Sequence, residues 1–392
     1  MKNLLVILAT VVVCISSALN AAESLRDDTI LATLPKVRLQ GLSMEEAMYS
    51  LQRKAGSVDP ALGVSLARKN LQMGAMADDV RRYGSALAIL ESIPAEKRVS
   101  GDYQRALADV QSVLHHFDNA RSTLTGVLGK EPKDDGSRRK LFYLDILRGD
   151  LASAKKHCAA DGGFADRMDR TLCGYHSSLV SGRLLSLNTE AVLYHAIKKE
   201  SPERLIWIAD ILLEQNFLKC LTSGLESCQR LIQYVHSYIQ VIAGDKTRLA
   251  YAADRMLMAN LPEDALKILP DSSNNLALGT RRLTIISKIK NPVQWTESDK
   301  GLQKIVVAGL RNEIDRGLVE HAREAALVAF FVDKNNTRGK DLAMLNWATQ
   351  REWIDLWLMQ QALSSTHDQS VTTEIDKWTL AQDVQTPFAG IR

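Results

Sequence analysis

The sequence predicts an all-α protein, built as a stack of antiparallel helical hairpins that become irregular in the second half of the chain. Only nine of the 392 residues are proline, and the stretches between them are rich in residues that favour helix. A hydrophobic content of 46% is enough for a large buried core. A motif also recurs every 34 residues, as "RYGSALAILES" from Arg82, "HFDNARSTLTG" from His116 and "DLASAKKHCAA" from Asp150.

Five apolar columns keep their register through three copies of this interval. Within one copy they are 3, 7, 3 and 4 residues apart, which is the spacing of one helix face, and the gap of 7 indicates a turn. Each copy is therefore predicted to be a helix-turn-helix, with a column of alanines where two backbones approach closely. The columns are Met73, Leu107 and Leu141; Met76, Val110 and Leu144; Tyr83, Phe117 and Leu151; Ala86, Ala120 and Ala154; and Leu90, Leu124 and Cys158.

This pattern resembles the tetratricopeptide-repeat superfamily, whose period is 34 residues. The resemblance is specific for residues 60–160, and it implies a right-handed α-solenoid. Phe142 stands where the other two copies have Gly74 and Ala108, so the third hairpin is expected to splay or repack there.

The elements follow in order along the chain. Residues 1–21 have the parts of a secretory signal peptide, with an apolar run from Leu4 to Ile15 and small residues at Ala21 and Ala22. The apolar run has about 12 residues, whereas a bilayer span needs roughly 20, so a cleaved signal is favoured over a membrane anchor. We predict cleavage after Ala21 or Ala22 and a periplasmic or secreted mature chain that does not insert into a membrane.

Two helix starts precede the repeats. Ser43 and Glu46 form a capping-box pattern, and Asp59 followed by Pro60 is typical of a helix N-terminus. After residue 174 the register of 34 is lost, but Ala265 in "NLPEDALKILP" and the alanine of "KDLAMLNW" mark second helices of further hairpins. The predicted division is 1–21 signal peptide, 22–58 N-terminal capping segment, 59–163 three repeats, 164–335 degenerate hairpins, 336–363 C-terminal capping hairpin and 364–392 polar, loose tail.

Four cysteines remain after signal cleavage, an even number that suits an oxidising compartment. Three connectivities are possible, and pairing of neighbours is the simplest. Cys220 and Cys228 lie four residues either side of Gly224, a natural break between helices, and Cys158 and Cys173 flank the turn "DGG". The alternatives are four free core cysteines and, less favoured because no CxxC occurs, a zinc site.

A closer resemblance is to a family of exported bacterial tetratricopeptide-like proteins without assigned biochemistry. It is carried by "DDTILATLP", "VRRYGSALAIL", the Cys158 and Cys173 pair, "HAREAALVAFFVDKNN" and "NWATQREWIDLWLMQQAL". This chain departs from the family where Trp353 replaces a typical proline, and Cys220 and Cys228 are peculiar to it. Since such proteins are associated with small nickel-permease-like membrane proteins, the resemblance implies export and an inner-membrane protein as a partner.

Composition and motifs indicate no particular reaction. The net charge of +3 comes from interspersed charges without a basic block, which argues against nucleic acid as a partner. We find no phosphate-binding loop, nucleophile elbow or H-E-x-x-H motif, and predict no metal or cofactor site. His115 and His116 are predicted to be neighbours on a helix, facing about 100° apart and unable to chelate one ion together.

The predicted function is a non-enzymatic scaffold that binds a protein or peptide partner on a concave surface formed by first helices. The alternative is an enzyme with an unrecognised site between residues 174 and 332. Charged residues are also the ordinary covering of an exposed helix, so the surface prediction competes with a simple solvated face. Five first-helix residues outside the packing columns are predicted to line the surface: Asp102, Arg105, Asp109, Arg139 and Tyr143.

Overall fold

The computed structural model describes residues 43–77, 79, 81–196, 200–242, 244–270, 275–290, 292–315 and 321–388. These residues form 19 α-helices and no β-strand, so the all-α prediction is confirmed. The chain divides into two compact units, Met1–Ala55 and Gly56–Arg392. The predicted signal peptide and its cleavage site lie outside the described residues. Among the helices within them, none is long and apolar enough to span a membrane.

The described part of the first unit is helix α1, Met44–Lys54. Its capping box is confirmed. The hydroxyl oxygen of Ser43 accepts a hydrogen bond from the backbone N–H of Glu46, and the Glu46 carboxylate accepts one from the backbone N–H of Ser43 at 2.8 Å.

The second unit begins with the three predicted hairpins. Their helices are α2 (Pro60–Ala77), α3 (Arg81–Glu91), α4 (Gly101–Val113), α5 (Phe117–Lys130), α6 (Asp135–Leu147) and α7 (Leu151–Lys156). The alanine column is confirmed, since Ala86, Ala120 and Ala154 have no exposed surface. Helices α3 and α5 end shortly before Pro94 and Pro132, because proline cannot continue a helix.

Twelve further helices follow among the described residues. They are α8 (Arg167–Val180), α9 (Leu187–Ala196), α10 (Pro202–Ser223), α11 (Leu225–Ile242), α12 (Lys246–Met258), α13 (Pro262–Ile268), α14 (Leu276–Ile289), α15 (Glu297–Asp315), α16 (Ala322–Leu327, continued by a π-helical turn Val328–Val332), α17 (Asn336–Trp347), α18 (Trp353–Thr366) and α19 (Gln369–Gln382). Ala265 in α13 and Ala343 in α17 are buried, as their predicted positions in second helices require.

Contacts join alternate helices as well as chain neighbours. Helix α8 packs on α10, α10 on α12, α12 on α14, α14 on α16 and α16 on α18. Ion pairs also link the early hairpins: Arg68 in α2 and Asp102 in α4, one repeat period apart, approach to 3.7 Å. First helices of successive hairpins therefore contact one another directly in this unit.

The segment after residue 364, expected to be a loose polar tail, instead forms the packed helix α19. Val371, Ile375 and Trp378 lie on one face of this helix at helical spacing and are buried. The indole N–H of Trp378 donates to the carbonyl oxygen of Gly149 at 2.9 Å. The end of the chain thus packs on the turn of the third hairpin, and its predominantly polar composition concealed the apolar face.

Phe142 shows how the third hairpin accommodates its larger side chain. Its ring is fully buried, with its centroid 5.7 Å from that of Trp207 in α10 and 5.6 Å from that of His176 in α8. The third hairpin therefore packs aromatic groups against the helices that follow it, where the first two copies have small residues.

Candidate functional site

An open groove of about 540 Å³ lies beside the first helix of the second hairpin. It is lined by Arg105 of α4 and by the connection Glu131, Pro132, Lys133 and Asp134 that leads into α6. Proline ends α5 here and Asp134 caps α6, so the connection stays short and non-helical. The groove thus contains one of the five residues predicted to bind a partner.

Arg105 is the centre of the charges in this groove. Its guanidinium donates to Glu131 at 2.9 Å, to Asp134 at 2.8 Å and to Asp102 at 3.2 Å. The hydrogen bond to Glu131 is the main reason that the pKa of Arg105 is raised. Three carboxylates therefore hold this guanidinium in place, and two of them, Glu131 and Asp134, line the groove.

Asp102 and Asp109, on the same helix, differ in exposure. The Asp102 side chain is 69% exposed although it approaches both Arg68 and Arg105. Asp109 is 30% exposed and forms an ion pair with Lys140 of α6. Asp102, Arg105 and Asp109 therefore form one solvent-accessible, charged face of α4, which we call the α4 face.

The other two predicted residues have partners inside the chain. Arg139 pairs with buried Asp169 at 2.7 Å, and its guanidinium lies 5.2 Å from the ring centroid of Trp207. The hydroxyl of Tyr143 donates to buried Asp210 at 3.2 Å. These two side chains thus bond to buried carboxylates of α8 and α10, whereas the carboxylates bonded to Arg105 are 17% to 69% exposed.

Asp210 is a buried carboxylate that the sequence pattern did not single out. It accepts hydrogen bonds from Tyr143, from Tyr238 at 2.7 Å and from Arg248 at 3.3 Å. Burial raises the pKa of Asp210, while Arg248 and the two tyrosines oppose that shift. The sequence does contain a signal for this buried site: Asp210 and Glu214 are ionisable residues four positions apart within the otherwise very apolar helix α10.

Further buried ion pairs follow along α10, α12, α14 and α16. Glu214 accepts from Arg255 at 2.6 Å and also from Tyr251. Arg281 holds Asp254 with two hydrogen bonds of 2.9 Å. Each buried charge has an opposite charge next to it, which removes most of the cost of burying it. These pairs lie on the helices that contact one another, so they tie neighbouring hairpins together.

Arg323 of α16 forms the last buried ionic cluster, together with residues at the start of α18. It donates two hydrogen bonds of 2.7 Å to Asp355 and one of 2.7 Å to Glu352. The amide of Asn346 also donates to Asp355, at 2.7 Å. The "NWATQRE" sequence that carried the family resemblance thus supplies Asn346 and Glu352 to an ionic cluster.

A small internal cavity of about 20 Å³ lies next to these clusters. Its polar lining consists of Tyr251 and Arg255 from α12 and Arg351 and Glu352 from the turn before α18. The rest of its lining is mainly apolar: Ile146, Leu151, Val180, Trp353 and Trp378.

The predicted cysteine pairs are both at bonding distance. The sulfur atoms of Cys158 and Cys173 are 2.02 Å apart, and those of Cys220 and Cys228 are 1.97 Å apart. Gly224 lies between the second pair with φ of +85°, which ends α10 and lets α11 turn back. This local pairing is consistent with an oxidising compartment.

The two neighbouring histidines are placed differently from the prediction. They lie in the turn between α4 and α5, where His115 has φ of +56° and His116 is the residue before the helix. A group of three or more potential metal-ligating side chains does not occur in the described ranges. No protein-family model, curated protein or solved structure matches the chain.

Proposed function

We propose that this chain is an exported, non-enzymatic scaffold of tetratricopeptide-like hairpins that binds a protein or peptide partner. The observation that carries the proposal is the groove beside Arg105, which adjoins the accessible α4 face. A groove with charges of both signs at its rim suits a polypeptide, whose side chains and backbone offer both signs and both kinds of hydrogen-bonding group.

The architecture supports the same function. The first helices of successive hairpins contact one another, an arrangement from which repeat proteins build extended binding surfaces. The family resemblance adds an inner-membrane protein as the class of partner to test first. We place the binding surface on the α4 face rather than at Arg139 and Tyr143, because those two side chains bond to buried Asp169 and Asp210, whereas Arg105 bonds to carboxylates that are themselves partly exposed.

The experiment is affinity capture with the purified mature protein from periplasm and from detergent-solubilised membranes. A partner that is captured should then be titrated against the double variant Asp102→Ala, Arg105→Ala. We expect binding to weaken by about 1 to 4 kcal/mol, because arginine is one of the residue types that contribute most to contact energies at interfaces.

Asp118→Ala is the matched control. Asp118 is also an exposed acid in an ion pair between hairpins, with Arg148, but it lies on the second helix α5. This variant should bind like the wild type. If the folded double variant binds as tightly as the control, the α4 face is not the binding surface.

Export rests on the signal-peptide pattern and on the two local disulfides. Intact-mass measurement of the protein purified from cells should give a chain that begins at Ala22 or Glu23. A full-length species found only in the cytoplasm would contradict this part of the proposal.

A further inference from the structure

The internal cavity beside α18 has two buried N–H donors without an acceptor among the described residues. They are Nη1 of Arg255 and Nε1 of Trp353, and both side chains line the cavity. Arg255 is 1% exposed and Trp353 is 3% exposed, so neither donor can reach bulk water. Buried donors in folded proteins almost always have an acceptor, so two unsatisfied donors at one cavity indicate an acceptor inside it.

The size of the cavity limits what this acceptor can be. A volume of about 20 Å³ exceeds the roughly 10 to 15 Å³ that one water molecule needs, but leaves little room for a larger group. The occupant is therefore a single water molecule or an ion of similar size.

The surrounding charges decide between these two. Ion pairs join Arg255 to Glu214 and Arg323 to both Glu352 and Asp355. Arg351 also lines the cavity, so three positive and three negative groups lie at or next to it. A monatomic anion would add an uncompensated buried charge, which costs far more than burying a neutral molecule. Electroneutrality favours water.

A water molecule can also complete its own hydrogen bonds here. Buried waters make about three hydrogen bonds, and the two N–H donors account for two of them. The Glu352 carboxylate lines the same cavity and already accepts from Arg323 and from the backbone N–H of Asp355. A carboxylate has about four acceptor sites, so it can accept a hydrogen bond from the water as well.

We infer that this cavity is a specific site for one structural water molecule, which accepts hydrogen bonds from Arg255 and Trp353. The water joins α12 to the start of α18, at the place where the third hairpin, through Ile146 and Leu151, meets the C-terminal helices. It contributes a hydrogen-bonded link where the two side chains do not bond to each other directly.

The primary test is a crystal structure of the wild-type protein with bromide in place of chloride. We expect electron density for one water within hydrogen-bond distance of both nitrogen atoms, without anomalous signal. Anomalous signal from bromide at this position would show that the site binds an anion and not water, which would contradict the inference. A cavity without density would overturn the inference altogether.

The second test uses the two tryptophans that line the same cavity. The indole of Trp378 donates directly to the carbonyl oxygen of Gly149, whereas that of Trp353 has no acceptor within the described ranges. In ¹⁵N-tryptophan-labelled protein, the Trp353 indole N–H should show a cross-peak to a bound water, and the Trp378 signal should show none. Trp353→Phe and Trp378→Phe assign the two signals, and a missing water contact at Trp353 contradicts the site.

Discussion

His176 is an uncharged histidine in the middle of the buried aromatic cluster. Its Nδ1 accepts a hydrogen bond of 3.0 Å from the indole N–H of Trp207. Burial, with smaller contributions from Arg255 and Arg248, lowers the pKa of His176 from 6.5 to about 3. The folded protein therefore keeps this residue neutral where the unfolded chain would protonate it.

His176 should make the stability of the protein fall in mild acid. Between pH 6.5 and about 3 only the unfolded chain binds the proton, so the free energy of unfolding decreases as the pH falls, by up to about 1.4 kcal/mol per pH unit. His176→Asn keeps an acceptor near Trp207 but cannot titrate. Urea unfolding at a series of pH values from 7 to 4 should show a free energy of unfolding that decreases less steeply with falling pH for this variant. The same pH dependence in variant and wild type would contradict the assignment.

A second prediction at this scale compares two Arg–Glu pairs. Arg255→Met leaves Glu214 buried without its counter-charge, so we expect a loss of about 3 to 5 kcal/mol. Arg230→Met breaks the pair with Glu226, whose side chains are 63% and 78% exposed, and should cost less than about 1 kcal/mol. Urea unfolding of both variants measures the difference, and similar losses would mean that burial does not set the strength of these pairs.

At the scale of the element, helices α10 and α11 are antiparallel and joined at one residue. The hydroxyl of Tyr234 in α11 donates to the carbonyl oxygen of Ala209 in α10 at 3.1 Å, and Gly224 forms the turn. The Cys220–Cys228 disulfide closes the hairpin next to that turn. Because the crosslink spans so few residues, it restricts the unfolded chain only locally.

Removing either disulfide should therefore have a moderate effect. We expect the double variant Cys220→Ala, Cys228→Ala to lose about 2 to 3 kcal/mol, and the corresponding Cys158, Cys173 variant to lose about 3 kcal/mol. Urea unfolding measures both. Non-reducing peptide mapping of the wild type tests the pairing itself, and crossed pairs or four alkylatable thiols would refute it.

At the scale of the whole second unit, the chain's end returns to its middle. The backbone N–H of Gln385 donates to the carbonyl oxygen of Ser181 at 2.9 Å, and the backbone N–H of Arg351 donates to the carbonyl oxygen of Leu147 at 2.9 Å. Gly182, with φ of +81°, lies so close to Gln385 that a Cβ atom would overlap its carbonyl oxygen. Glycine is required there for both the conformation and the contact.

Gly182→Ala should consequently loosen the C-terminal segment. We expect the free energy of unfolding to fall by about 1 to 3 kcal/mol because of backbone strain. We also expect faster proteolysis after residue 366. Gly126→Ala in α5 is the control, because open space surrounds that position and alanine favours helix by about 0.5 to 1 kcal/mol. Thermal unfolding and limited proteolysis should separate the variants, and equal behaviour would show that the Gly182 contact is dispensable.

The sequence by itself determined the features that depend on neighbours in the chain. The helices around Ala86, Ala120 and Ala154 and the capping box at Ser43 were predicted from spacing. Local pairing of Cys220 with Cys228 was the simplest of three connectivities, and the two sulfur atoms are at bonding distance. Period, caps and turn residues act over a few positions, so a single sequence displays them.

Only the tertiary structure decided which charged residues stay accessible. Arg105 and Arg139 occupy comparable first-helix positions, yet Arg105 pairs with partly exposed carboxylates at an open groove, whereas Arg139 pairs with buried Asp169, 30 residues away. The packing of helix α19 likewise depends on a distant partner, because Trp378 bonds to the carbonyl oxygen of Gly149, 229 residues away. Such partners are set by how hairpins pack over long separations, where burial and charge pairing are properties of the folded chain and leave no periodic trace in the sequence.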